Sequence, residues 1–216
     1  GYYTEILFPK KGVRFIAVNN NVDSATPQDN DFTPFLNIMN EWYAKDTSNK
    51  IKAVFKSRMK EGLRCSGSIP YGYKREPGDK QTLIVDEPAA QVVKRIFRLA
   101  SEGVGYNKMA KIFREEKVLT PIAYFNLNNP DYFKSDYWRK EFDWHVTSIR
   151  AILNNEVYLG KLVYGKQRNK SMKSKEKVRN PKEDWIVVEN CHEPIITQEL
   201  WDTVHKILNA KHRPAK

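Results

Sequence analysis

Two hundred and sixteen residues suit one sizeable domain, or one domain with an appendage. With 40% apolar and 12% aromatic residues the chain can build a core, and no run approaches the roughly 18 apolar residues of a bilayer helix, which excludes global disorder and a membrane span. A formal net charge of +11 favours a polyanionic partner, while two cysteines, Cys65 and Cys191, without a Cys-x-x-Cys pair exclude a zinc ribbon and a disulfide framework.

The run from Gly12 to Asn19 is short, apolar and bounded by turn residues, the pattern of a buried strand. From Asp31 the period becomes helical, with Phe35, Ile38, Met39, Trp42 and Tyr43, then Ile51, Val54, Phe55 and Met59. Asp31 or Thr33 can cap the start, Pro34 suits the first turn and Gly62 the end, so one helix of about 30 residues is predicted. Its first half is aromatic and its second half basic. Residues 66–74, rich in glycine and proline, read as a linker.

Beyond the linker the pattern predicts a strand at 83–85, a helix opened by Asp86 and Pro88, and a helix over about 106–117 stopped by Thr120-Pro121. Residues 123–143 show no period and read as a loop. A short helix at 145–154, a strand at 157–164, a lysine-rich stretch at 166–182, a strand at 185–188 and a helix capped by Thr197 complete the chain.

The charge is concentrated in two segments. Residues 45–75 hold nine basic and two acidic side chains, and 161–182 hold nine basic and one acidic, whereas the remainder is neutral to acidic. Two basic footprints on one polyanion is the economical reading, against the plainer one of two solvated faces. Catalytic constellations are missing: there is no phosphate-binding loop, nucleophile elbow or His-Glu-x-x-His pair, and the four histidines have no ligand spacing. No cofactor or metal is expected. The element order from 106 to 188 is that of a winged helix-turn-helix, although a plain α+β domain shares it. The fold class expected is α+β: a long N-terminal helix, then a mixed helical domain with a small antiparallel sheet.

The runs Gly12 to Ser24 and Asp31 to Ser48 resemble the end of the catalytic domain and the long oligomerisation helix of the large serine recombinases, of the conjugative-transposon or phage integrase type. Pro70-Tyr71-Gly72-Tyr73, the helix from Val93 to Gly103, Leu119-Thr120-Pro121 and Trp144 through Gly160 look like that family's DNA-binding domain. The resemblance implies three parts: a catalytic-domain remnant at 1–30, a long oligomerising and DNA-contacting helix at 31–63, and the DNA-binding domain at 64–216. It also implies that the nucleophilic serine lies N-terminal to Tyr2, so no catalytic residue is expected here and the chain should bind attachment-site DNA without cutting it.

On that reading phosphate contacts come from Lys50, Lys52, Lys56, Lys60, Arg64, Lys74, Lys161, Lys166, Arg168 and Lys170, and base contacts from Thr147, Ser148 and Arg150. Tyr71 and Tyr73 either pack the linker or touch DNA sugars. Double-stranded DNA and a second copy, joined through residues 1–45, are the expected partners, in a bacterial cytoplasm at the nucleoid. A dimeric transcriptional regulator or a protein–protein module with an incidental basic surface are the rival readings.

Overall fold

The computed structural model describes residues 2–18, 22–25, 33–79, 81–129, 140–171 and 174–211. These group into two compact units, one of residues 1–57 with 171–175 and the other of residues 58–170 with 176–216.

In the first unit a π-helical turn, Tyr3–Leu7, runs into a short helical stretch, Phe8–Lys10. Gly12 then turns the chain at φ +63°, so that the Val13 amide donates to the Phe8 carbonyl at 2.9 Å and the rings of Phe8 and Phe15 stack at 6.1 Å. Strand β1, Ile16–Ala17, pairs antiparallel with β2, Val22–Asp23, Ile16 opposite Asp23. The expected buried strand over 12–19 is thus reduced to two residues, and Ile16 and Val18 stand 52% and 83% exposed. Its partner is the segment just after it, too short to cover either face. Arg14 grips Asp23 with two guanidinium nitrogens and holds its carboxyl down at about 2.

Helix α1, Thr33–Lys60, has 28 residues and a length of about 42 Å. The predicted capping residue Asp31 lies outside the described residues. Gly62 ends the helix at φ +75°, where the Leu63 amide reaches back to the Arg58 carbonyl at 2.9 Å.

The second unit begins with a hairpin. Strands β3, Tyr73–Arg75, and β4, Leu83–Val85, pair antiparallel with Tyr73 opposite Val85. The presumed linker therefore contributes a strand. Its turn is braced by Asp79, which accepts from the Gln81 amide at 2.7 Å and the Thr82 hydroxyl at 2.6 Å.

Helix α2, Glu87–Ser101, follows with Pro88 in its first turn, and Gly103 and Gly105 separate it from α3, Tyr106–Glu115. Thr120-Pro121 does not merely stop α3; it starts α4, Pro121–Leu127, where a loop was expected. The Thr120 hydroxyl accepts from the Ala123 amide at 3.3 Å, and proline at the first helical position loses no hydrogen bond. Much of the rest of that expected loop, 130–139, lies outside the described residues.

Helix α5, Val146–Leu153, is followed by a 3-10 turn, Glu156–Leu159. Gly160, at φ +77°, turns the chain, so the expected strand 157–164 shrinks to β5, Leu162–Tyr164. A side chain could not replace this glycine freely: a Cβ there would sit 2.7 Å from the His192 carbonyl. The lysine-rich stretch forms a two-stranded ribbon, β6 Gln167–Ser171 and β7 Ser174–Arg179. Strand β8, Ile186–Val188, pairs antiparallel with β5, and helix α6, Gln198–Lys211, closes the unit. The fold is α+β, as expected, with its strands in separate two-stranded ladders.

Helix α2 is the hub of the core, packed against α5 and α6, with α3 also on α5. Val93, Ile96, Phe97, Met109, Phe113, Trp144, Ile149, Leu153 and Val204 are fully buried. Each large aliphatic or aromatic side chain taken out of water contributes about 1.5–3 kcal/mol. Trp144 meets Phe113 at 5.1 Å while its indole N–H donates to the Val118 carbonyl at 2.9 Å, so the ring is buried without an orphaned donor.

Candidate nucleic-acid interface

Helix α5 divides by its own period. Ile149, Ile152 and Leu153 point into the core, which leaves Thr147, Arg150, Ala151 and Asn154 exposed at the i, i+3, i+4, i+7 spacing of one solvent-facing stripe. Ser148 is half-buried at its margin. The Arg150 guanidinium lies 5.4 Å from the centroid of the Tyr106 ring on α3, a contact that orients it while keeping its donors outward. Asn154 donates to the Arg150 carbonyl at 2.8 Å and finishes the helix. Sequence reasoning named Thr147, Ser148 and Arg150 but missed Asn154, which the same periodicity reaches one turn on.

The β6–β7 ribbon has no core face. Every residue from Gln167 to Ser171 is exposed, and so is every one from Lys175 to Arg179. Arg168, Lys170, Lys175, Lys177 and Arg179 populate it, and Lys170 pairs across the strands with Glu176 at 3.1 Å. The base of the ribbon is anchored by polar contacts: the Asn180 amide donates to the Lys166 carbonyl at 3.1 Å and its side chain to the Gly165 carbonyl at 2.7 Å. Lys166 itself pairs with Glu156 and sits 5.2 Å over the Trp185 ring. Lys161 pairs with Glu189 at 2.9 Å.

The remaining predicted residues fall into two groups. Lys50, Lys52, Lys56 and Lys60 are exposed along the second half of α1, Lys50 paired with Asp46 at 2.7 Å, and Lys74 is exposed on β3. Arg64, Tyr71 and Tyr73, by contrast, turn into the second unit. Tyr73 is 5% exposed and donates to the carbonyls of Glu193 at 2.9 Å and Val157 at 3.3 Å. Tyr71 packs edge-on to Tyr124 and Trp144. Burial raises both phenols well above their ordinary pKa, so both stay neutral. Both rings pack within the second unit. Arg64 is 9% exposed, its guanidinium turned onto the Ser68 carbonyl at 2.8 Å. A buried cation there had no signal in the sequence, where Arg64 reads as the end of a basic run.

Among the described residues no group of three or more His, Cys, Asp or Glu side chains could hold a metal, and no helix is long and apolar enough to cross a membrane. What residues 146–179 present is an outward helical stripe and an exposed basic ribbon.

A profile of the Recombinase family matches residues 87–211, from α2 to the end of α6. The chain belongs to that family. Within this chain a stretch of 70 residues is 39% identical to the uncharacterized protein YefB of Bacillus subtilis (strain 168), covering 32% of this chain and 23% of YefB. Among solved structures, one described as an LSR–DNA complex is 16% identical, covers 77% of this chain and 44% of its own, and has a TM-score of 0.45. Another, from work on the sequence requirements of the Listeria innocua prophage attP site, is 19% identical over 76% of this chain and 51% of its own, with a TM-score of 0.36. The chain thus spans between about a quarter and about a half of the proteins it is similar to.

Proposed function

We propose that this recombinase chain is the DNA-binding portion of a serine site-specific recombinase, an integrase or transposase, and that it recognises the attachment site used for integration and excision of a mobile element. The observation that carries the reading is the β6–β7 ribbon inside the family-matched region: five described basic side chains on strands that bury nothing. A ribbon with no core face does not serve packing, and its charge suits phosphates. The solvent-facing stripe of α5 supplies groups that hydrogen-bond to base edges, Arg150 with a planar fork and Thr147 and Asn154 with short polar ends. Residues 31–63 act as the arm whose basic half lies along the backbone, and 64–216 as the DNA-binding domain. No residue here is assigned to strand cleavage.

A test is competitive binding of the chain to candidate attachment sites and to random duplex. Arg150→Ala should cost about 1–3 kcal/mol on the preferred site and little on random DNA, whereas Lys56→Ala and Lys60→Ala should weaken all sequences alike. An unchanged preference in Arg150→Ala would remove α5 as the reading element. The exposed Ile38, Met39, Trp42 and Tyr43 of α1 support self-association through residues 1–45, which sedimentation of the chain beside a version beginning at Asn49 would test: a dimer that becomes a monomer supports it, and two monomers contradict it.

A further inference from the structure

A cavity of about 260 Å³ opens between the segment from Arg64 to Pro70 and the stretch from Asn155 to Lys166. At about 30 Å³ per water molecule it has room for a hydrated oxyanion. Its charged lining is Arg64, Lys161 and Lys166, with Ser66, Ser68 and Asn155 among its neutral polar groups, and among the described residues no carboxylate lines it. Lys161 and Lys166 already have carboxylate partners, Glu189 and Glu156. Arg64 is different. Its Nη2 donates to the carbonyls of Ser68 at 2.8 Å and Ser66 at 3.4 Å, but Nη1 is buried with no hydrogen-bond partner.

A guanidinium nine-tenths buried, bonded only to neutral carbonyls, is an uncommon arrangement, because desolvating a charge is costly unless an opposite charge compensates it. A neighbouring charge makes matters worse. Arg75, which donates to the Gly67 carbonyl at 2.8 Å, adds to burial in pushing the Arg64 pKa down. Two arginines therefore brace three successive carbonyls of one loop, and neither finds an anion there. An oxyanion in the cavity would offset the repulsion between the arginines, meet the ammonium groups on the opposite wall and, once a small turn of the guanidinium brings its buried Nη1 to the cavity surface, accept from that N–H.

We propose that this cavity is an anion site that takes a phosphate oxyanion on Arg64, with Lys161 and Lys166 as its outer wall. The phosphate is either a backbone phosphodiester of bound DNA or free inorganic phosphate. In the first form the inference rests on the DNA-binding function proposed above; in the second it stands without it.

The full chain is titrated with inorganic phosphate against chloride at matched ionic strength, following the thermal unfolding midpoint and the ³¹P line width, and then with duplex DNA. Arg64→Gln should lower phosphate affinity about tenfold or more, the loss of a charge-assisted hydrogen bond. Since that change also removes the brace on the Ser66 and Ser68 carbonyls, Lys161→Met serves as a second variant, with a smaller loss of about threefold. Displacement of phosphate by duplex identifies the backbone as the source; simultaneous binding of both identifies free phosphate. Phosphate protection lost in Arg64→Gln, in a chain that binds no duplex, would remove the DNA function and keep the site. Salt-sensitive duplex binding untouched by either variant, with phosphate no more protective than chloride, would overturn the site and keep the DNA function.

Discussion

Trp144 and Trp42 belong to the two units of one chain, the first fully buried and the second 60% exposed. The contrast is general. Among the described residues of 2–57 none is buried, and Tyr2, Tyr3, Ile38 and Tyr43 stand 62, 65, 67 and 69% exposed, while the second unit buries a continuous core from Tyr73 to Val204. Both stretches have apolar residues at helical or strand spacing. A periodic pattern shows that a face is made for burial; whether the covering partner lies in the same chain depends on how many apolar elements the topology can bring to it.

The sharpest way to break that comparison is to truncate the two tryptophans. Trp144→Ala should cost about 3–5 kcal/mol in urea unfolding, because it removes a buried ring and orphans the Val118 carbonyl. Trp42→Ala should stay within about 0.5 kcal/mol if the chain is monomeric under the assay. Equal effects would mean that α1 is covered by something in solution.

Next in size is Gly160→Ala, at a left-handed φ with the His192 carbonyl 2.7 Å from the new Cβ. A loss of about 1–3 kcal/mol is expected, with Gly12→Ala as the reference, also at positive φ but with nothing near its Cβ. The difference between the two variants isolates packing from backbone strain.

Acidification gives a smaller effect confined to the second unit. His192 donates its Nε2–H to the Val157 carbonyl, 2.7 Å away, and burial, the largest cause, holds its pKa below the ordinary 6.5. With the folded pKa depressed, the neutral ring's contribution is complete above the unfolded value and is lost as pH falls through the folded one. Stability of the full chain should therefore decline as pH falls below about 6.5, and decline less in His192→Gln. An identical pH profile in the two proteins would contradict the assignment.

The smallest stability change is expected on the ribbon. Lys170→Ala breaks an exposed pair with Glu176 and should shift unfolding by less than about 1 kcal/mol. Its effect should appear instead in duplex binding, as a salt slope smaller by about one.

Much of the second unit was legible because its elements are locally signed. Val93, Ile96, Phe97 and Ala100 keep the helical period of α2, Thr197 accepts from the Leu200 amide at 3.3 Å where a cap was expected, and Gly62 ends α1. What misled was punctuation. Thr120-Pro121 reads as a stop for α3, although a hydroxyl followed by proline also starts a helix. Gly160 sits inside a run of β-formers and converts half of it into a 3-10 turn. On the candidate interface, the charge density of 161–182 was readable, but which cations face water was not. Arg64 and Tyr73 are turned inward by contacts with residues 4 and 120 positions away, and no local pattern encodes the second distance.

The proposal that exposed basic side chains of this chain engage duplex DNA is tested most directly by the salt dependence of binding. Each phosphate neutralised releases counterions, so with six or more contacts affinity should fall roughly 10³-fold or more between about 50 and 200 mM salt, linearly in log–log form. Binding that is flat across that range, or no binding at the lower salt, would contradict the account.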